Sequence, residues 1–311
     1  METSLSRGLQ EFCSAHQART PEGAIRGAWQ RIINTLQLHP PISLKPVCDA
    51  LGVLVYWKNQ THLTRRGNAS LAVESGRLTI RVHSPRHSAW RFNRFLVGHE
   101  LTHALLIKSL GNTDLVRTLD ATEKDYKSLE QLCDLGAYEL LMPSAEFRTL
   151  MASHDLGPDL IRLLHDRFLV TLVMAAERYA YLTPRGALLR LRKHARNSEE
   201  CIEWRVGSSF PRYQYDSSWP WVPKGSTLKH LPGVVDLDSL SISDSVVSGR
   251  TKIKVSNRAW VGDYTAFAHP HPRTAHNERP LFGNYIVPDE PSPRQRDIFL
   301  FIREADKQAS Q

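Results

Sequence analysis

The run His99-Glu100-Leu101-Thr102-His103 constrains this 311-residue chain more than any other segment. Four residues advance an α-helix by about 400° and ~6 Å, so a helix through this run stacks two imidazoles on one face, within reach of one tetrahedral metal ion. Glu100 points elsewhere around the helix, where it suits a general base acting on water rather than a third ligand of the same kind. The flanking residues support a helix. Val97, Leu101, Ala104 and Leu105 recur at three- and four-residue steps, Ser88 suits an N-cap, and Gly111-Asn112 suits a stop. Ala-Leu-Leu-Ile-Lys-Ser follows His103, so an extended motif with a third histidine is excluded, and a carboxylate from a second helix is the expected third ligand.

Such a carboxylate stands at Glu130. The apolar positions 129, 132, 133, 136, 137, 140 and 141 follow helical spacing, Thr122 and Asp125 fit a capping box at the start, and Pro143 fits the stop. Glu130 and Asp134, one turn apart, leave the flank of that stripe together, so one can ligate while the other orients an imidazole. On most helices such acidic residues are solvated surface groups. The half-built site upstream is what favours the ligand reading for Glu130.

The two segments together resemble the ImmA/IrrE family of metallopeptidases, in which an H-E-x-x-H helix precedes a helix of the type E-x-x-[AC]-[ND]-x-x-A-x-x-L-L-M-P. The matching residues are Arg94-Phe95, His99, Glu100, His103, Glu130, Cys133, Asp134, Ala137 and Leu140 to Pro143, within a likeness spanning roughly residues 40 to 182. The resemblance implies that His99, His103 and Glu130 ligate Zn2+, with Mn2+ as the alternative metal, and that Glu100 is the catalytic acid/base. Asp134 stands where the family often has asparagine, which changes the charge behind the ligands. The kinship also implies a protein substrate: a partner helix-turn-helix transcriptional repressor, cleaved to release stress-response or mobile-element genes. For the donor to the tetrahedral oxyanion, Tyr126, Arg94 and His83 are the candidates, and the sequence does not choose among them.

The remaining chain is read as an α+β protein in four parts. Residues 1–40 are expected to form N-terminal helices, 5 to 18 and 22 to 38, the second carrying Ile25, Ala28, Trp29, Ile32, Ile33 and Leu36 on one face. Residues 41–143 form a zincin-like core, with a buried strand at 53 to 57 and a hairpin turning at Ser75-Gly76 between 70 to 75 and 77 to 83. Its edge strand would lie beside the cleft and could hold an extended peptide by backbone pairing. Residues 144–197 are a helical, helix-turn-helix-like extension, with helices at 144 to 153, 158 to 168 and 170 to 182 and a further one carrying Arg185, Leu188, Leu189, Arg190, Leu191, Arg192, Lys193 and Arg196. Residues 198–311 read as a smaller, mainly β domain, with strands at 201 to 207, 251 to 256, 263 to 268, 283 to 288 and 298 to 303, and loops at 211 to 226 and 270 to 280. In length and strand content this part resembles the GAF-like domain of a radiation-response member of the family, which implies sensing or docking; a stabilising accessory role is the alternative.

Composition bounds these readings. Four scattered cysteines form no C-x-x-C pair and no disulfide framework. No stretch approaches eighteen uninterrupted apolar residues, and the first residues lack a basic segment followed by an apolar one, so a soluble, cytoplasmic protein away from the membrane is expected. A net charge of +8 allows DNA contact without favouring it, since ordinary solubility explains it as well. Against the endopeptidase reading stand a non-catalytic, metal-containing regulator that binds DNA or a partner, and a zinc hydrolase acting on a small amide.

Overall fold

The structure, a computed structural model, describes residues 4–58, 68–83, 90–110, 123–184, 186–196, 198–210, 237–242, 245–255, 258–269 and 297–304. Ser88, Gly111-Asn112, Thr122, both expected loops and the strand expected at 283 to 288 lie outside these residues. The chain divides into two units, one made of residues 1–147 with 167–170 and the other of 148–166 with 171–311.

In the first unit, α1 (Ser4–Ala15) precedes α2 (Pro21–Thr35), which starts where Thr20 accepts the Gly23 N–H and Pro21 presets the first helical turn. Ile25, Ala28, Trp29 and Ile33 of α2 are buried, the face that the sequence periodicity marks out. A short α3 (Leu44–Ala50) leads into a three-stranded sheet made of β1 (Leu54–Lys58), β2 (Asn68–Glu74) and β3 (Arg77–His83), in the order β1-β3-β2. The β2–β3 hairpin turns at Ser75 and Gly76, both with positive φ, as a two-residue turn that matches strand twist requires. Leu78, Ile80 and Val82 of β3 are buried on its middle position.

One expectation is corrected at β1. Its apolar run reads as a buried strand, yet Tyr56 is 56% and Trp57 46% exposed. Among the described residues β1 pairs only with β3, in parallel, and so lies at an edge of their sheet, where hydrophobicity of a short run does not report burial.

Two long helices complete the unit: α4 (Trp90–Leu110) and α5 (Glu123–Leu141), the latter ending just before Pro143. α4 packs on the β2 and β3 strands and on α5, and α2 packs on α5. Glu139 of α5, only 3% exposed, accepts from Arg26 Nε of α2 at 3.0 Å and from Ser144 Oγ at 2.8 Å. Removing a buried acceptor costs more than the hydrogen bonds themselves contribute, although Arg26, 44% exposed, can return to water. Glu139→Ala is therefore expected to destabilise this unit by about 1–3 kcal/mol, and Glu139→Gln by less. Thermal melts with a chelator present, which remove any contribution from bound metal, check this.

The second unit includes α7 (Pro158–Phe168) up to residue 166, α8 (Leu172–Leu182), the short α9 (Leu237–Ile242) and an antiparallel sheet of β4 (Gly186–Arg196), β5 (Ser198–Phe210), β6 (Val246–Val255), β7 (Arg258–Ala268) and β8 (Ile298–Glu304). Preceding α7 is α6 (Ser144–Ala152), at the boundary between the units. The strand order is β5-β4-β8-β7-β6, so β8 joins two hairpins. Ala187, Leu189 and Leu191 pack with Ile298, Leu300, Ile302 and Leu240 of α9 on one face, while Phe267, Phe299 and Phe301 cluster on the other, where Tyr179 of α8 meets the Phe301 ring at 5.5 Å.

The helix expected over 185 to 196 is thus strand β4. Leu189 and Leu191 alternate with Arg190 and Arg192, whose Nε atoms converge on Asp297 at 2.6 and 3.1 Å. That two-residue period is a strand's, and the helix propensity of its Leu and Arg residues is overridden by pairing with β8, a partner more than one hundred residues away. Among the described residues no helix is long and apolar enough to cross a membrane.

Candidate metal centre

The α4 face that carries His99 and His103 meets the α5 flank that carries Glu130 and Asp134. Nε2 of His103 lies 3.2 Å from Nε2 of His99, and the two Glu130 carboxylate oxygens lie 3.3 Å from one Nε2 each. Three electron-pair donors therefore point at one another across a gap that a shared cation would fill. A tetrahedral zinc with bonds of ~2.0–2.1 Å sets its ligand atoms about 3.3–3.4 Å apart, so the donor set fits such an ion in chemistry and in spacing. Among the described residues this is the group of His, Cys, Asp and Glu side chains with metal-holding spacing.

The neighbouring groups orient the donors. The Nδ1–H of His99 donates to Asp134 Oδ1 at 3.0 Å, so Nε2 is the nitrogen turned toward the gap, where a cation would take the place of its proton. The Phe95 ring lies against both His99 and Tyr138, at centroid distances of 6.5 and 5.2 Å, and limits how the imidazole can turn. Burial pulls the His99 pKa down, but hydrogen bonds to Asp134 and Glu130 outweigh it and raise it to about 10. Glu130 is the mirror case: burial pushes it up, and the hydrogen bonds from His103 and His99 win, holding it at about 2. The pocket is thus arranged to hold positive charge between these three side chains.

Glu100 is 9% exposed and reaches the sheet, where the Leu71 backbone N–H of β2 donates to it. Burial raises its pKa first, while His103 and His99 pull the other way. A carboxyl whose pKa is raised by burial suits proton transfer.

The three candidate oxyanion donors fall in different places. Arg94 Nη2 donates to the Ile42 carbonyl at 2.8 Å, and burial lowers its pKa to about 10. His83 closes β3 opposite Lys58 and Asn68, its buried Nδ1 without a hydrogen-bond partner among the described residues. Tyr126 belongs to the first turns of α5, and its side chain lies outside the described residues.

The Leu71 contact is one that sequence reasoning misses, because a backbone donor from a strand leaves no residue-type signal. Gly136 and Thr102, which face each other across the α4–α5 seam, are missed as well. A glycine inside a strong helical pattern is the available sign, since it is disfavoured there without a packing reason.

Residues 48–180 match the peptidase M78 family profile, described as the IrrE N-terminal-like domain. This segment is similar to IrrE N-terminal-like domains. The match runs from α3 through α8, taking in α4 and α5 whole, and leaves α1, α2 and the five-stranded sheet outside it. No curated protein matches the chain. Among solved structures, the chain is similar to a Mycobacterium tuberculosis transcriptional regulator at 15% identity, over 96% of this chain and 93% of that one, with a TM-score of 0.48.

Proposed function

We propose that this chain is a zinc-dependent endopeptidase that cleaves a partner helix-turn-helix transcriptional repressor and so releases stress-response or mobile-element genes. The observation that carries the peptidase reading is the convergence of His99, His103 and Glu130 within 3.2–3.3 Å of one another beside the buried Glu100. Two imidazoles and one carboxylate suit zinc better than Mn2+, which prefers more oxygen donors in an octahedral set. Three protein ligands also leave a fourth position open, as catalytic zinc sites do and closed structural ones do not.

When bound, such an ion lowers the pKa of water toward ~7 and polarises the scissile carbonyl. The chain's own residues do the rest. Glu100 takes a proton from the attacking water and returns it to the leaving nitrogen. Asp134, by accepting the His99 Nδ1–H, keeps Nε2 free to ligate. The oxyanion donor is drawn from Tyr126, Arg94 and His83. Among the described residues β2 pairs with β3 alone, so its outer edge suits an extended substrate strand. The repressor as substrate, and a cytoplasmic site of action, rest on the ImmA/IrrE kinship, and a sensing or docking role for the C-terminal sheet is part of the same proposal.

The test is the half-life of helix-turn-helix repressors from the same cell, followed with the intact protein or Glu100→Gln. Loss of a repressor with the intact protein alone supports cleavage. Equal half-lives with both proteins would show that any regulation runs through binding rather than hydrolysis.

A further inference from the structure

α4 and α5 approach each other at Gly136 so closely that no other residue fits there without movement. A Cβ built on Gly136 would overlap Cγ2 and Oγ1 of Thr102 and lie 2.9 Å from the Thr102 Cβ. Thr102 cannot turn aside cheaply. It is fully buried and β-branched, and its Oγ1 donates to the Gly98 carbonyl at 2.9 Å. One turn N-terminal to Thr102 on α4, Gly98 is far less crowded: its Cβ would meet Ala137 at 3.4 Å, an ordinary contact. Glycine is disfavoured in a helix interior, so the tight contact at Gly136 is a packing feature with a conformational cost.

The position of this contact matters for the metal centre. Thr102 adjoins His103 in α4, and Gly136 follows Asp134 by two residues in α5. Both carboxylates that reach the imidazoles hang from the part of α5 whose distance to α4 is set here. The ligand atoms already lie 3.2–3.3 Å apart, so a shift of even about half an ångström between the helices moves them off the spacing that one ion accepts. We infer that Gly136 is a positioning residue for the metal site: its missing side chain, seated on Thr102, sets the depth of the α4–α5 seam and with it the reach of Glu130 and Asp134 to His103 and His99. This inference rests on the metal-site reading above and adds what sets its geometry.

The experiment uses the full chain, with zinc affinity measured by competition against a chromophoric chelator, the Co2+ absorption spectrum as a report on coordination geometry, and thermal melts with chelator present. Gly136→Ala is expected to keep a cooperative melt, lose about 10–100-fold in zinc affinity, the range typical of groups that orient ligands, and change the Co2+ bands. Gly98→Ala, the same methyl where there is room, is expected to stay within about twofold of the wild type. Adding Thr102→Ala to Gly136→Ala removes Cγ2 and Oγ1 but leaves the close Cβ, so it is expected to recover about threefold or more without reaching wild-type affinity. Wild-type affinity in Gly136→Ala, or an equal loss in Gly98→Ala, overturns the inference. Should Gly136→Ala fail to melt cooperatively, the double variant decides: a folded protein of intermediate affinity supports the inference, and either an unfolded one or wild-type affinity overturns it. A wild-type chain that binds zinc no better than His103→Ala refutes the metal-site reading itself, which separates the two failures.

Discussion

Glu100→Gln is expected to lower peptide-bond turnover by about 10²–10⁴-fold while the protein retains its metal. The substitution preserves shape and one oxygen acceptor, so the Leu71 N–H keeps a partner and the fold keeps its packing. It removes the ability to accept and return a proton. Metal content by elemental analysis, measured alongside cleavage rate and KM, checks the expectation: kcat falls, and metal stoichiometry and KM stay close to those of the wild type. Near-normal turnover in this variant would exclude Glu100 as the base.

His103→Ala is expected to lose both metal and activity. His103 and His99 each lie 3.3 Å from a Glu130 oxygen, and three donors are the minimum the arrangement offers. Loss of a direct ligand should exceed the ~10–100-fold cost of removing a group that only orients one, so an affinity loss well beyond about 100-fold is expected for His103→Ala and for Glu130→Ala. Competition with a chromophoric chelator measures it. Melting with chelator present separates this coordination effect from the loss of the contacts that Glu130 makes with the two imidazoles. If Glu130→Ala bound zinc as tightly as the wild type, the third ligand would have to be another group, and Asp134, one turn further along α5, is the residue to test next.

Much of the first unit is legible in the residues alone. The stripe through Val97, Leu101, Ala104 and Leu105, the hydrophobic face of α2 and the Ser75-Gly76 turn are local patterns, repeated by the backbone geometry of a single element, and each occurs where periodicity puts it. Elements whose identity depends on distant partners are less legible. β4 reads as helical because Leu and Arg favour helices and three leucines fall within four positions; its pairing with β8 is invisible from either segment alone. The exposure of Tyr56 and Trp57 is likewise a property of the sheet edge rather than of the strand.

The same distinction runs through the site. His99 and His103 share a face because four residues make a little over one helical turn, and Glu130 and Asp134 share a flank for the same reason; spacing along the chain determines these pairs wherever the helices go. How close one pair comes to the other is decided elsewhere. The spacing of 3.2–3.3 Å depends on α4 meeting α5 across Thr102 and Gly136, on β2 supplying the Leu71 N–H to Glu100, and on Phe95 bracing His99. Periodicity within an element follows from covalent geometry and needs no partner, whereas the distance between elements is set by which side chains are missing or tightly held where they touch. Only the folded protein assembles those contacts.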